Sequence, residues 1–164
     1  MKLQEYKEFE YKIEGCETGE TIVFIHGWPD DESLWSLQVS VLQEKYRCVL
    51  VTLPNFGSSL HRTGGFSFQE WLDMLNNTIK SVQPEGQVSL VTHDWGAFLG
   101  YLYEQKHPEK IRRMFTMDVG GDLLPNPLEA CMIVSYQWTL ASFWILGGLL
   151  PFDRISNNAA FEMK

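Results

Sequence analysis

The chain has few cysteines and few basic residues, and each shortage argues against a class of protein. Its 164 residues include only Cys16, Cys48 and Cys131. They are odd in number, widely spaced and form no CxxC pair, which argues against a disulfide framework and a zinc site. We therefore expect a reducing compartment, no metal ion and no cofactor. Lys and Arg total 13 against 21 for Asp and Glu, a net charge of −8, so no nucleic-acid partner is expected.

The N-terminal stretch MKLQEYKEFEYKIEG also lacks the apolar segment of a signal peptide, which predicts a cytoplasmic protein. One uncharged stretch, residues 130–152, is long enough to span a membrane. Its polar residues, among them Ser135, Gln137 and Thr139, make it only moderately apolar. Because apolar length alone does not separate a buried helix from a span, membrane association through 130–152 stays an alternative.

Short apolar runs alternate with segments of helical period, which predicts an α/β protein with a doubly wound, mostly parallel sheet and crossover helices. The predicted strands are an edge strand at Tyr6–Ile13 and buried strands at Thr21–Ile25, Arg47–Thr52, Val88–Val91 and Ile111–Met117. The predicted helices are Ser33–Glu44, Ser67–Val82 and Trp95–Lys106. We expect Leu34, Leu37, Val41 and Leu42 on the buried face of the first helix, and a capping box of Ser67 and Glu70 in the second.

The turn after the third buried strand carries the first candidate for chemistry. In Thr92-His93-Asp94-Trp95-Gly96, small residues flank an aspartate with the spacing of a nucleophile elbow. Gly96 leaves room for a sharp strand-to-helix turn, and the helix N-terminus favours the carboxylate of Asp94. The alternative is that Asp94 is an ordinary helix N-cap.

The turn after the first buried strand, FIHGWPD, carries the second candidate. Gly27 permits an unusual backbone and Pro29 fixes the chain, so the N–H of Trp28 can point outward. Together with the N–H of Trp95 it would form a two-donor oxyanion hole. We expect His26 to brace this turn.

HGWPD paired with THDWG resembles the α/β-hydrolase superfamily, within it the aspartate-nucleophile branch of epoxide hydrolases and haloalkane dehalogenases. VTLPNFGSS resembles the loop DLPGYGxS of relatives, although Thr52 and Asn55 depart from it, and HPEKIRR resembles an NPERVRR-type helix exit. The resemblance covers most of this chain but only part of the family's domain. It implies a C-terminally incomplete α/β-hydrolase core over 1–126 and the beginning of a truncated helical cap over 127–164.

The resemblance also implies the chemistry. Asp94 would attack a saturated carbon of a small apolar epoxide or alkyl halide, opening the ring or displacing the halide. The product is an alkyl ester of Asp94, which water then cleaves. Trp28 stands where dehalogenases usually carry asparagine, which favours an epoxide, with an alkyl halide as the alternative. Tyr136 is similar to the family's first cap tyrosine, a proton donor; simple packing is the competing interpretation.

The acid and base partners of Asp94 are harder to find. Asp118 ends the fourth buried strand, where some dehalogenases place their triad acid, and it could equally be a loop carboxylate. After Asp94 only His107 remains, and we expect it at the surface; His61 lies in a polar loop and His93 points away. The chain alone is therefore predicted to be inactive. An open edge at the last strand would then favour homo- or hetero-association, which keeps a non-catalytic binding module or a membrane-attached fragment as alternatives.

Overall fold

The computed structural model describes residues 6–57, 61–117 and 126–149. The chain divides into two compact units, Met1–Gly120 and Gly121–Lys164. The first contains a five-stranded sheet and three α-helices, and the second contains one long helix.

The sheet of the first unit confirms the predicted α/β architecture. Its strands are β1 (Glu10–Gly15), β2 (Thr21–Ile25), β3 (Arg47–Thr52), β4 (Val88–His93) and β5 (Ile111–Met117), in the spatial order β1-β3-β2-β4-β5. Strands β2 to β5 are parallel, and β1 is antiparallel to β3. The first strand is an edge strand as predicted, although it begins four residues later than the pattern indicated.

Helices lie on both faces of this sheet, which makes it doubly wound. They are α1 (Ser36–Leu42), α2 (Phe68–Val82) and α3 (Trp95–Lys106). Because side chains alternate along a strand, Val23 and Ile25 of β2 belong to one core with α2 and α3. Ile22 and Phe24 belong to a second core with Trp35 and Val39 from the α1 side.

The predicted buried face of the first helix is partly wrong. Leu37 and Val41 are 79% and 74% exposed, whereas Trp35 and Val39 are 0% and 2% exposed. The chain forms a 3-10 turn over Glu32–Trp35 before α1 begins. Leu34 and Leu42, the other two predicted residues, do pack against this core. Trp35, Val39 and Leu42, at positions i, i+4 and i+7, form the stripe that faces the sheet.

Helix α2 begins as predicted. The Ser67 hydroxyl accepts the Glu70 N–H at 3.3 Å, and the Glu70 carboxylate accepts the Ser67 N–H at 2.8 Å. Arg62 binds the same carboxylate through both terminal nitrogens, at 2.8 and 2.9 Å. These bonds hold the pKa of Glu70 at about 2 and attach the loop after β3 to the start of α2.

The second unit contains α4 (Pro127–Leu149), a helix without basic residues in its last turn. The hydroxyls of Ser135, Thr139 and Ser142 bond to main-chain carbonyls of the preceding turn. Across the ranges given above, no helix combines the length and the apolar character needed to cross a membrane.

Candidate active site

Asp94 occupies a strained turn between β4 and α3. Its backbone angles are φ 51° and ψ −118°, a region that non-glycine residues rarely occupy and that costs about 1–3 kcal/mol. Its N–H bonds to the carbonyl of Met117 at 3.2 Å, and its carbonyl accepts the N–H groups of Ala97 and Phe98 at 3.0 and 3.2 Å. Hydrogen bonds therefore hold the backbone of Asp94 on both sides.

The carboxylate of Asp94 is directed to the neighbouring turn. Although Asp94 stands at the N-cap position, its side chain makes no capping hydrogen bond to α3. Instead Oδ2 accepts the main-chain N–H of Trp28 at 2.8 Å. An ordinary N-cap side chain accepts an N–H of its own helix, so this geometry differs from the N-cap alternative.

Two glycines allow the two turns to approach this closely. A Cβ on Gly27 would lie 2.4 Å from Asp94 Oδ2 and 2.8 Å from the Trp95 nitrogen. A Cβ on Gly96 would lie 2.4 Å from the carbonyl oxygen of Ile25. The Asp94 carboxylate and the Trp95 nitrogen thus lie against the same side of Gly27 and fill the space that a side chain would need.

His26 is fully buried and joins the Trp28 turn to the end of β3. Its Nε2 accepts the N–H of Leu53 at 3.0 Å, which places the ring proton on Nδ1. Nδ1 then donates to the carbonyl of Gly27 at 2.9 Å. Burial lowers the pKa of the imidazole below its ordinary value, so the ring is neutral at physiological pH and both nitrogens serve structure.

The other histidines have neighbours other than the carboxylate of Asp94. His93 Nδ1 is 3.8 Å from Asp30 Oδ2. His107 lies at the far end of α3, with its ring centroid 4.9 Å from that of Tyr103. At a rise of 1.5 Å per residue it is roughly 20 Å along the helix from Asp94. His61 is exposed in the loop before α2.

Sequence reasoning missed an aromatic cluster at the first turns of α2 and α3. Phe68 lies 5.9 Å from Trp95 and 5.0 Å from Phe98, and Trp95 lies 6.3 Å from Phe98, measured between ring centroids. The signal was present: FQEW at 68–71 and WGAF at 95–98 each place aromatic residues three positions apart, on one helix face. Their meeting depends on how the two helices pack.

The structure does not test the roles predicted for two further residues, Tyr136 and Asp118. Tyr136 lies in α4 and is 61% exposed, so its two competing roles both remain predictions. Asp118 lies outside the described residues, and its role as the acid also remains a prediction.

Comparison with known proteins agrees with this architecture. A family model described as the alpha/beta hydrolase fold matches residues 20–140. A cis-3-alkyl-4-alkyloxetan-2-one decarboxylase from Xanthomonas campestris is 26% identical over 161 residues, which cover 92% of this chain and 52% of that protein. An epoxide hydrolase from Neurospora crassa is 34% identical over 99 residues, which cover 58% of this chain and 29% of that protein.

Solved structures show the same fold. An epoxide hydrolase from Vigna radiata superposes with a TM-score of 0.63 at 24% identity, covering 79% of this chain and 47% of that one. A marine microorganism esterase also reaches a TM-score of 0.63, at 22% identity, with 78% of this chain and 49% of that one covered. The chain spans about half the length of the two oxetanone decarboxylases that it matches, 52% and 45%. The chain belongs to the alpha/beta hydrolase fold family, and the relatives that it matches include epoxide hydrolases.

Proposed function

We propose that Asp94 is the nucleophile of an epoxide-opening hydrolase. The observation that carries the proposal is the hydrogen bond from the Trp28 N–H to Asp94 Oδ2, 2.8 Å long, in a strained turn. With Oδ2 held by this donor, Oδ1 is the oxygen that attacks a saturated carbon of the epoxide. The C–O bond of the ring breaks, the new C–O bond makes an alkyl ester, and the ring oxygen takes up a proton.

The same hydrogen bond supports a role in the second step. Once Oδ1 is esterified, Oδ2 is the carbonyl oxygen, and it carries the negative charge when water adds to the ester carbon. The Trp28 N–H donates to Oδ2, and the Trp95 nitrogen lies on the same side of Gly27. We propose the Trp95 N–H as the second donor. Donors aimed at a developing oxyanion typically contribute about 10²-fold or more to the rate.

We propose that none of the histidines, all of which lie among the described residues, activates water. Among the four histidines, His26 uses both ring nitrogens in hydrogen bonds with the Gly27 carbonyl and the Leu53 N–H. His93 Nδ1 lies 3.8 Å from Asp30 Oδ2, His107 packs against Tyr103, and His61 is exposed. We propose that this chain forms the ester and hydrolyses it very slowly. We also propose that 127–164 begins a cap, with Tyr136 as the proton donor to the ring oxygen, and that Asp118 is the acid partner.

The experiment is alkylation of the 164-residue chain by phenyl glycidyl ether, followed by intact mass measurement and peptide mapping. We expect one stable ester on Asp94 and no sustained diol release. Because thiols such as exposed Cys131 also open epoxides, hydroxylamine separates the two products: it cleaves an ester and leaves a thioether. Asp94→Asn is the matched control and should lose only the hydroxylamine-sensitive adduct.

The outcome has two independent parts. Absence of an ester at Asp94 would overturn the nucleophile assignment. Sustained diol formation would overturn the proposal that this chain lacks a base for ester hydrolysis. A bromoalkane run in parallel tests the haloalkane alternative, since the same carboxylate would displace bromide and give the corresponding alkyl ester.

A second candidate substrate class follows from the match over 92% of the chain to a cis-3-alkyl-4-alkyloxetan-2-one decarboxylase. An oxetan-2-one is, like an epoxide, a strained oxygen heterocycle. A cis-3,4-dialkyloxetan-2-one added to the same assay tests it through alkene release, with Asp94→Asn as the control.

Association through the edge of the sheet is a further proposal. β5 has one neighbour, β4, among the described strands, and its Phe115 is 62% exposed. An edge strand with an exposed apolar side chain favours pairing with another chain. Light scattering that shows only monomer across a concentration series would contradict self-association through β5.

A further inference from the structure

The aromatic cluster, defined as Phe68, Trp95 and Phe98, joins three partly exposed rings in mutual contact. The three side chains are 42%, 45% and 42% exposed, and each is within 6.3 Å of the other two. Trp71 extends the cluster, with its ring 5.9 Å from Phe68. No member carries a charge, so the surface suits an uncharged apolar group.

The topology places this cluster at the end of the sheet that carries Asp94. β3 and β4 both run parallel to β2, so the carboxyl ends of the three strands lie at the same end of the sheet. Helix α3 begins directly after β4, and α2 begins after the loop that leaves β3. Trp95 follows Asp94 in the chain, and the Phe98 N–H bonds to the Asp94 carbonyl at 3.2 Å.

The ring geometry favours an aromatic ligand over another apolar group. Phe68 meets Phe98 at 68° and Trp95 meets Phe98 at 88°, whereas Phe68 and Trp95 are inclined by 33°. The cluster therefore presents ring faces and ring edges in several directions. Aromatic pairs prefer edge-to-face and offset contacts, and gain from them beyond the area that they bury.

We propose that the aromatic cluster binds an aryl substituent, so that the preferred substrates of Asp94 are epoxides bearing an aryl group. The substrate assignment rests on the proposed function, whereas binding of the aryl group does not require any reaction at Asp94. Phe68 is then a specificity-determining residue contributed by α2, outside both turn motifs.

The test measures binding of unreactive diols to the full chain by ligand-observed NMR titration. The pair is 3-phenoxypropane-1,2-diol and 3-cyclohexyloxypropane-1,2-diol, which share the diol and differ in ring aromaticity. We expect the phenoxy diol to bind about three- to tenfold more tightly, the range expected for aromatic contacts. Phe68→Leu should abolish this preference, and Phe98→Leu should reduce it.

Leu37→Ala is the control, since Leu37 is an exposed apolar residue on α1, on the other face of the sheet from α2 and α3, and its replacement should leave the preference intact. Circular dichroism checks that each variant is folded. Equal affinities of the two diols for the wild-type chain, or an unchanged preference in Phe68→Leu, would overturn the inference. If Phe68→Leu instead dissociates a wild-type oligomer in light scattering while the preference stays, the cluster is a protein contact surface and the inference is wrong.

The two proposals fail separately. An ester on Asp94 without any preference between the diols overturns the aryl site alone. A preference between the diols without an ester on Asp94 supports the aryl site and overturns the nucleophile.

Discussion

The main-chain N–H of Trp28 donates a 2.8 Å hydrogen bond to Asp94 Oδ2, although the two residues are 66 positions apart. The bond connects the turn after β2 with the turn after β4. These strands are parallel neighbours in the sheet, with Ile25 opposite Thr92. The two turns therefore lie side by side at the carboxyl ends of the strands. The candidate active site is therefore a direct product of strand order.

Replacing Gly27 should disable the site. In Gly27→Ala the new Cβ would lie 2.4 Å from Asp94 Oδ2 and 2.5 Å from Asp94 Cβ, so the turn must move. Since a displacement of about 1 Å at reacting groups can cost 10²-fold, we expect alkylation of Asp94 to slow by about that factor. The rate of ester formation in the mass assay measures it.

Gly65→Ala is the control for Gly27→Ala. Gly65 has φ +72° but no atom near its would-be Cβ, so alanine there adds backbone strain of about 1–2 kcal/mol and no clash. Its alkylation rate should match the wild type. An equal loss of rate in both variants would indicate general destabilisation in place of a local effect.

His26 should make folding stability depend on pH. Burial holds the pKa of folded His26 below its ordinary value, so between that pKa and about 6.5 the unfolded chain binds more protons. The contribution of His26 to the free energy of unfolding should therefore be greatest above about pH 6.5 and decrease as the pH falls below that value. Urea titrations between pH 5.5 and 7.5 measure this slope.

His26→Leu provides the comparison. It leaves the Leu53 N–H, now bonded to Nε2, without its acceptor, which costs about 1–3 kcal/mol. The variant should also show a flatter dependence of stability on pH over the same window. A slope as steep as that of the wild type would assign the pH dependence to other groups.

Truncation of two valines of α1 should lower stability to very different extents. Val39 is 2% exposed and Val41 is 74% exposed. Val39→Ala removes core packing and should lower the free energy of unfolding by about 1–3 kcal/mol, whereas Val41→Ala should change it by less than about 0.5 kcal/mol. Chemical denaturation of both variants decides the matter, and equal losses would contradict the observed face of α1.

Loss of the cap at α2 should weaken the start of that helix. Ser67→Ala removes the acceptor of the Glu70 N–H and should cost about 1 kcal/mol. Ser33→Ala, at an exposed serine, should change stability by less than about 0.5 kcal/mol. Hydrogen exchange should show faster exchange in the first turn of α2 for Ser67→Ala only, and an unchanged exchange pattern would contradict the capping role.

Strand positions and the two turns could be predicted because their causes are local. The buried strands are short apolar runs such as TIVFI and RCVLVT. Each turn motif contains a glycine, Gly27 or Gly96, where the two turns approach too closely for a side chain. The face of α1 could not be predicted in the same way. The segment carries two overlapping apolar stripes, and the packing of Trp35 against Phe24 in the core selects the one that contains Val39.

The sequence by itself determined the alternation of strands and helices, the capping box of α2 and the identity of Asp94 as the exceptional residue of its turn. Local periodicity and side-chain chemistry are sufficient for these. Only the tertiary structure decided that the Asp94 carboxylate meets Trp28, that His26 bonds to Leu53, and that Phe68 joins Trp95 and Phe98. Each of these contacts joins residues at least 27 positions apart, and the order of strands in the sheet brings them together.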